Sequence, residues 1–414
     1  MSLESVKKMA LRNTWTIATL TSAGIFVTFM LRVNISPITP LLKNELRLSD
    51  FEIGLALSGF LWIYTFLQPV AGYITDRFGA KLSLLVGVLA TSIITLLTGF
   101  VGSFLALFVL RVALGVTQTP NFVSGAKVTA SGWFNEKQRA RGTSIWVAGG
   151  RLGPVLTFPL AAWLGVSYGW PWALYGTGVI GLLWCLVWFF GFQDNPGNWK
   201  ESADAIAKPK LNIRKNLPVL ISPLGLGFAL ASFGQGYVAY YLNLWLPTYL
   251  VQEQKFTILN AGIFATLPLI AAVVTLLLVG GVASDYFVKE GASPIGVRRN
   301  LFVFGMVATS ILLFATAYAP NPYFALAALC LAGATLGFST PSLWVALVEA
   351  TPREITGTMG GLQNFGGNLG GIVVAVLTGY ILDVTRSFFF ALLAGSVAAL
   401  LGAVTAFLLI RARK

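Results

Sequence analysis

Residues 72–81 read GYITDRFGAK. This short polar run stands between two apolar stretches, and it has an echo. Residues 280–291 read GGVASDYFVKEG, and the spacing from Gly72 to Asp76 recurs from Gly281 to Asp285, an offset of 209 in a chain of 414. A second echo sets GGRLGP at 149–154 against GGNLGG at 366–371. Turn motifs repeated between apolar stretches in both halves predict a duplicated bundle of membrane helices, the organisation of secondary transporters.

The composition agrees. Hydrophobic residues make up 56% of the chain and charged residues only 10%, against about 25% charged in soluble domains. A spanning helix needs about 20 apolar residues. Such segments are expected at 15–42, 52–73, 81–101, 103–132, 142–165, 169–191, 218–250, 259–284, 300–318, 322–350, 356–382 and 387–410. The polar stretch at 194–217 divides them six and six. The expectation is an all-α polytopic protein with one six-helix bundle at 1–193, a cytoplasmic linker at 194–217 and a second bundle at 218–414.

Orientation follows from the cations, which accumulate on the cytoplasmic side. Of 28 Lys and Arg, 20 fall in the tails and loops assigned to the cytoplasm and 4 on the other side. Both termini are therefore expected inside, in the cell membrane. Topology explains most of the +13 charge, and nucleic acid is not an expected partner. The four remaining cations, Arg32, Arg111, Lys127 and Arg151, lie inside apolar segments, whereas every Asp and Glu falls in a loop or near a segment end.

The motifs resemble a known family. Gly72-x-x-x-Asp76-Arg77-x-Gly79-x-Lys81 and Arg111-x-x-x-Gly115 look like two signatures of the major facilitator superfamily. SGWFNEKQRARGT (131–143), LWLPTYL (244–250) and PREITGTMGGLQNFGGNLGGI (352–372) resemble its anion:cation symporter branch, which includes sugar-acid carriers, sialin and vesicular glutamate transporters. The resemblance implies the twelve-helix facilitator fold and transport of a small organic anion across the bilayer. It places Arg32, Tyr64, Trp344 and Asn364 at substrate-contacting positions. In that branch an Asp commonly precedes the first Arg and a Glu follows the second by seven residues. Here those positions hold Leu31 and Gln118.

A charge at the bilayer centre costs about 2.5–3.5 kcal/mol on insertion scales, so each buried cation needs a reason. Arg151, in AGGRLGPVLTFP (148–159), lies ten residues beyond Arg141, about 15 Å along a helix. No carboxylate is near it in sequence, and an anionic substrate is the expected partner; the alternative is bonding to carbonyls freed by Pro154 and Pro159. Arg32 sits in FMLRVNISPITP (29–40) at similar depth. Arg111 and Gln118, seven residues apart, share a helix face. Arg111 reads either as a second substrate cation or as a conformational switch. Lys127 reads best as a cation snorkelling to the cytoplasmic end of its segment. The second half offers Gln235, Tyr241, Trp344 and Asn364 for the neutral part of a substrate, the arginine forks being suited to its acid group. Gly72, Asp76, Arg77, Gly79 and Asp285 are expected to control a gate.

Enzyme chemistry is not expected, since a chain with no His and no buried Asp or Glu offers poor material for it. No metal, cofactor or disulfide between Cys185 and Cys330 is expected, and a monomer suffices. The leading expectation is a carrier of sugar acids or other carboxylates by alternating access. Without a titrating carboxylate at membrane depth, exchange or uniport is expected. Proton- or sodium-coupled symport, and export of lipids or drugs on the same fold, are the alternatives.

Overall fold

The computed structural model describes residues 14–130, 133–134, 136–192, 218–280, 293–352 and 355–410. The described residues are helical and contain no strand. In chain order the helices are α1 (Thr14–Val33), α2 (Thr39–Leu46), α3 (Asp50–Thr98), α4 (Phe104–Ala130), α5 (Glu136–Tyr168), α6 (Trp170–Gly191), α7 (Pro223–Leu244), α8 (Leu246–Gln252), α9 (Ile258–Phe264), α10 (Thr266–Thr275), α11 (Pro294–Ala317), α12 (Pro322–Ala350), α13 (Thr356–Thr385) and α14 (Phe389–Leu409). Eleven stretches among them are long and apolar enough to cross a membrane. The expected seventh span is helical as α7 but is not one of these; Ser232, Gln235, Asn243 and three tyrosines lower its hydropathy.

Local chemistry sets the ends. Ser222 and Asn321 each stand before a proline, at α7 and α12, and their side-chain oxygens accept from Gly225 N at 3.2 Å and Phe324 N at 2.9 Å. A small polar cap followed by Pro at the first helical position satisfies donors that the helix leaves open. The GYITDRFGAK motif forms no extended loop. α3 runs through it, broken only at Gly79, whose φ of 80° and ψ of 167° are accessible essentially to glycine alone.

The described residues fall into two compact units. One comprises Met1–Leu41 and Trp62–Pro209, the other Leu42–Leu61 and Lys210–Lys414. α3 therefore gives its first residues to one unit and the rest to the other. Within the second unit the start of α3 docks tightly on α13. A Cβ on Gly54 would lie 2.3 Å from Ala375 O, and one on Gly379 would lie 2.3 Å from Asp50 O. The Asp383 carboxylate accepts from the amides of Asp50 and Phe51, both at 2.9 Å. Lys43 pairs with Asp50 at 2.5 Å. A carboxylate at the open N–H groups of a helix start is favourable on both hydrogen-bond and dipole grounds.

The repeat extends beyond the loops. Gly87 meets Asn121 and Thr117, while Gly305 meets Ser339 and Thr335. Thr91 bonds Thr117 at 2.9 Å, and Thr309 bonds Thr335 at 2.8 Å. Every residue of the second set stands 218 positions after its counterpart. Likewise Gly149 and Gly153 face Ser22 O and Phe26 O, as Gly366 and Gly370 face Ala229 O and Phe233 O. Glycine at these points lets helix backbones touch, the packing device expected where lipid supplies no hydrophobic drive.

Candidate functional site

α1 and α4 bring Arg32, Arg111 and Gln118 together in the first unit. Arg32 and Arg111 are both buried, and Gln118 is fully so. Arg32 Nε donates to Gln118 Oε1 at 2.9 Å. Arg111 Nη2 donates to the carbonyl of Arg32 at 3.0 Å. Gln118 Nε2 in turn donates to Thr28 O at 3.1 Å, and Asn121 Nδ2 donates to Thr28 Oγ1 at 3.1 Å. Asn34 on the far side bonds Thr177 of α6 at 2.9 Å.

Two rings hold the guanidinium of Arg32. Its Cζ lies 4.6 Å from the centroid of Phe29 and 4.7 Å from that of Tyr64. A cation over a ring face in a dry site gains up to about 2 kcal/mol, and the planar fork is fixed in one orientation. The helices α1, α4 and α6 contain no Asp or Glu at all. The fixed charge of this cluster is positive, and its polar frame is neutral.

Arg151 differs from the expectation of a buried side chain, being exposed. Its neighbours Gly149 and Gly153 turn towards α1, so Arg151 points away from that contact on a helix of 3.6 residues per turn. Lys127 stands in the last turn of α4. Its Nζ pairs with Asp76 at 2.5 Å, tying the end of α4 to the GYITDRFGAK motif. The motif's own cation, Arg77, donates to the Tyr73 hydroxyl at 3.0 Å and lies over the Phe78 ring. Gly72 sits in open surroundings. Asp285 lies outside the described residues.

In the second unit Gln235 donates to Thr340 Oγ1 at 3.1 Å, and Tyr240 donates to Asn368 Oδ1 at 3.1 Å. Tyr241 is buried, its hydroxyl having no hydrogen-bond partner among the described residues. Gln363 is fully buried with neither amide atom bonded among the described residues. Trp344 is exposed and packs on α13 at Gly360, one turn before the half-buried Asn364. Arg298 of α11 forms an ion pair with Glu349 of α12. The sequence reading missed Thr28, Phe29, Asn121 and Thr340. Phe29 and Asn121 each stand three residues from a named site residue, a spacing that shares a helix face.

The chain belongs to the Major Facilitator Superfamily, whose family model matches residues 21–374. It is a multi-pass transporter of the cell membrane and not an enzyme. It is 29% identical to the D-galactonate transporter of Escherichia coli O6:H1, over 94% of this chain and 95% of that one. It is also 29% identical to the probable galactarate/D-glucarate transporter GarP of Escherichia coli K12, over 87% and 86%. The probable sulfoacetate transporter SauU of Cupriavidus necator is 29% identical over 88% and 86%. Among solved structures, the D-xylose–proton symporter matches with a TM-score of 0.78 at 15% identity, over 96% of this chain and 98% of that one, a likeness of fold.

Proposed function

We propose that this chain carries small organic anions, sugar acids foremost, by alternating access, and that it works as an exchanger or uniporter. The observation that carries the reading is the buried pair Arg32 and Arg111, set by Gln118 in a frame whose helices hold no acid. Two desolvated guanidinium groups are costly without a counter-charge, and an anionic substrate supplies one. Arg binds a carboxylate bidentately, and the rings of Phe29 and Tyr64 pre-set the plane of the Arg32 fork. The relatives named for D-galactonate and galactarate/D-glucarate transport support the substrate class.

Coupling follows from Gln118. An amide has no titrating proton, so the residue bonded to Arg32 cannot pick up and release one during the cycle. An empty site bearing two cations resists reorientation, whereas a filled one does not, which favours exchange. The bundles are 1–193 and 218–414, joined by the linker 194–217. A single chain in the bilayer suffices, with the Gly72–Lys81 motif controlling the gate. Gln235, Tyr241, Trp344 and Asn364 receive the uncharged part of the substrate.

Calorimetry on purified protein tests the site. D-galactonate is expected to bind the native chain, and neutral D-galactose is not. Arg32→Gln should weaken D-galactonate at least ~100-fold, the scale of breaking a buried charge pair. Unchanged affinity in the substituted protein, with its fold intact, contradicts the reading.

A further inference from the structure

A cation lying over an exposed aromatic ring recurs at the same place in both units. In the first, Lys81 Nζ lies 5.5 Å from the centroid of Phe189; in the second, Arg299 Cζ lies 5.0 Å from that of Phe407. Arg299 and Phe407 each stand 218 residues after their counterparts, the offset that also relates Gly87 and Thr91 to Gly305 and Thr309. Both rings are exposed. A ring that only filled a core would be covered.

The second unit shows what this cation can bind. α11 begins and α14 ends at one edge, where Arg299 Nη1 donates to the carbonyl of Ile410, the residue after α14, at 3.4 Å. Arg299 Nε and Nη2 both donate to Asn300 Oδ1, at 3.1 and 3.0 Å. These bonds use three of the five N–H groups of a guanidinium. One is left on each terminal nitrogen, a pair suited to two oxygens of one phosphate. The adjacent Arg298 is answered by Glu349, whereas Arg299 has no ion pair among the described residues.

An apolar stripe runs up to this guanidinium. Leu400, Val404 and Phe407 follow one another along one face of α14 at spacings of four and three, and all three are exposed. The stripe is about 10 Å long. α11 and α14 are both apolar enough to span a bilayer, over Pro294–Ala317 and Phe389–Leu409. Their shared edge therefore lies near the end of the hydrocarbon core, where lipid headgroups begin.

We propose that this edge of the second unit binds an anionic phospholipid, its phosphodiester on Arg299 and one acyl chain along the Leu400–Phe407 stripe. The guanidinium alone would suit a free phosphate as well as a headgroup; the apolar stripe that leads to it selects the lipid. Phe407 acts at both ends, carrying the cation on its face and continuing the stripe. A zwitterionic lipid brings its own cation to the phosphate, so an anionic one is preferred by about fivefold, the worth of one cation at the membrane surface. Arg299 takes no part in the Arg32 cluster, and the lipid contact stands apart from the substrate reading.

The test uses the purified full chain in phosphatidylcholine vesicles holding a small fraction of phosphatidylglycerol with a photoreactive acyl chain. Illumination should label the stretch 400–410 about fivefold more than the matching phosphatidylcholine probe does. Arg299→Gln should bring the two probes level while helicity and thermal unfolding stay native. Arg299→Lys, which keeps the charge and loses the fork, should retain part of the preference. Equal labelling by the two probes in the native chain overturns the assignment whether or not a variant folds. A full preference surviving in folded Arg299→Gln also overturns it. So does displacement of the phosphatidylglycerol probe by excess inorganic phosphate, which would make this a site for the free anion.

Discussion

The two units solve the same packing problem with different chemistry. Each closes a pair of helices with a Gly–Thr clasp, Gly87 and Thr91 on Thr117 in one, Gly305 and Thr309 on Thr335 in the other. Where the first unit places Arg111 and Gln118, a shift of 218 residues gives Leu329 and Leu336 in the second. Where the first has Arg151, a shift of 217 gives Asn368, which Tyr240 holds at 3.1 Å. The duplicated scaffold is retained, while the positions matching Arg111, Gln118 and Arg151 carry no charge in the second copy. The difference teaches that packing is separable from charge here: glycines and threonines specify the frame in both copies, and the arginines proposed to bind the ligand stand in one.

The comparison can be broken by giving the charged unit an acid. Gln118→Glu would set a carboxylate about where Oε1 now accepts from Arg32 Nε, at 2.9 Å. It should compete with the substrate and weaken D-galactonate at neutral pH by roughly tenfold or more. It should also make transport respond to a proton gradient, because Glu titrates where Gln does not. Calorimetry with gradient-driven uptake checks both, and native affinity in the variant would show that Arg32 does not face the anion.

A smaller effect is expected at the motif that opened the sequence reading. Lys127 and Asp76 form a pair whose acid is largely exposed, and exposed pairs contribute about 0–1 kcal/mol. Asp76→Asn should therefore shift the balance of gate states by no more than about fivefold. It should leave the ranking of bound anions unchanged. Labelling of single cysteines near the site would report the shift; an altered ranking would make the motif part of the site.

Much of this was legible in the chain because it depends on composition and short spacing. Helix lengths follow from apolar runs. The shared face of Arg111 and Gln118 follows from their spacing of seven. Gly79 was legible as a member of the loop motif, though not as a single break inside a continuous helix. Pairings at long separation were hidden. Lys127 finds Asp76 across 51 residues, and nothing in a local window reveals it. Asp383 reaches the start of α3 across 333 residues, which is why that segment joins the second unit although it stands early in the chain. The exposure of Arg151 was hidden as well, because depth along a helix does not give direction around it.

The most direct test of the account is counterflow in liposomes containing the purified chain. The vesicles are either loaded with D-galactonate or empty, with and without an imposed pH gradient. Rapid uptake of labelled D-galactonate only into loaded vesicles, unaffected by the gradient, is the result predicted from a doubly cationic site framed by Gln118. Uphill uptake into empty vesicles, driven by protons and abolished by a protonophore, would contradict it.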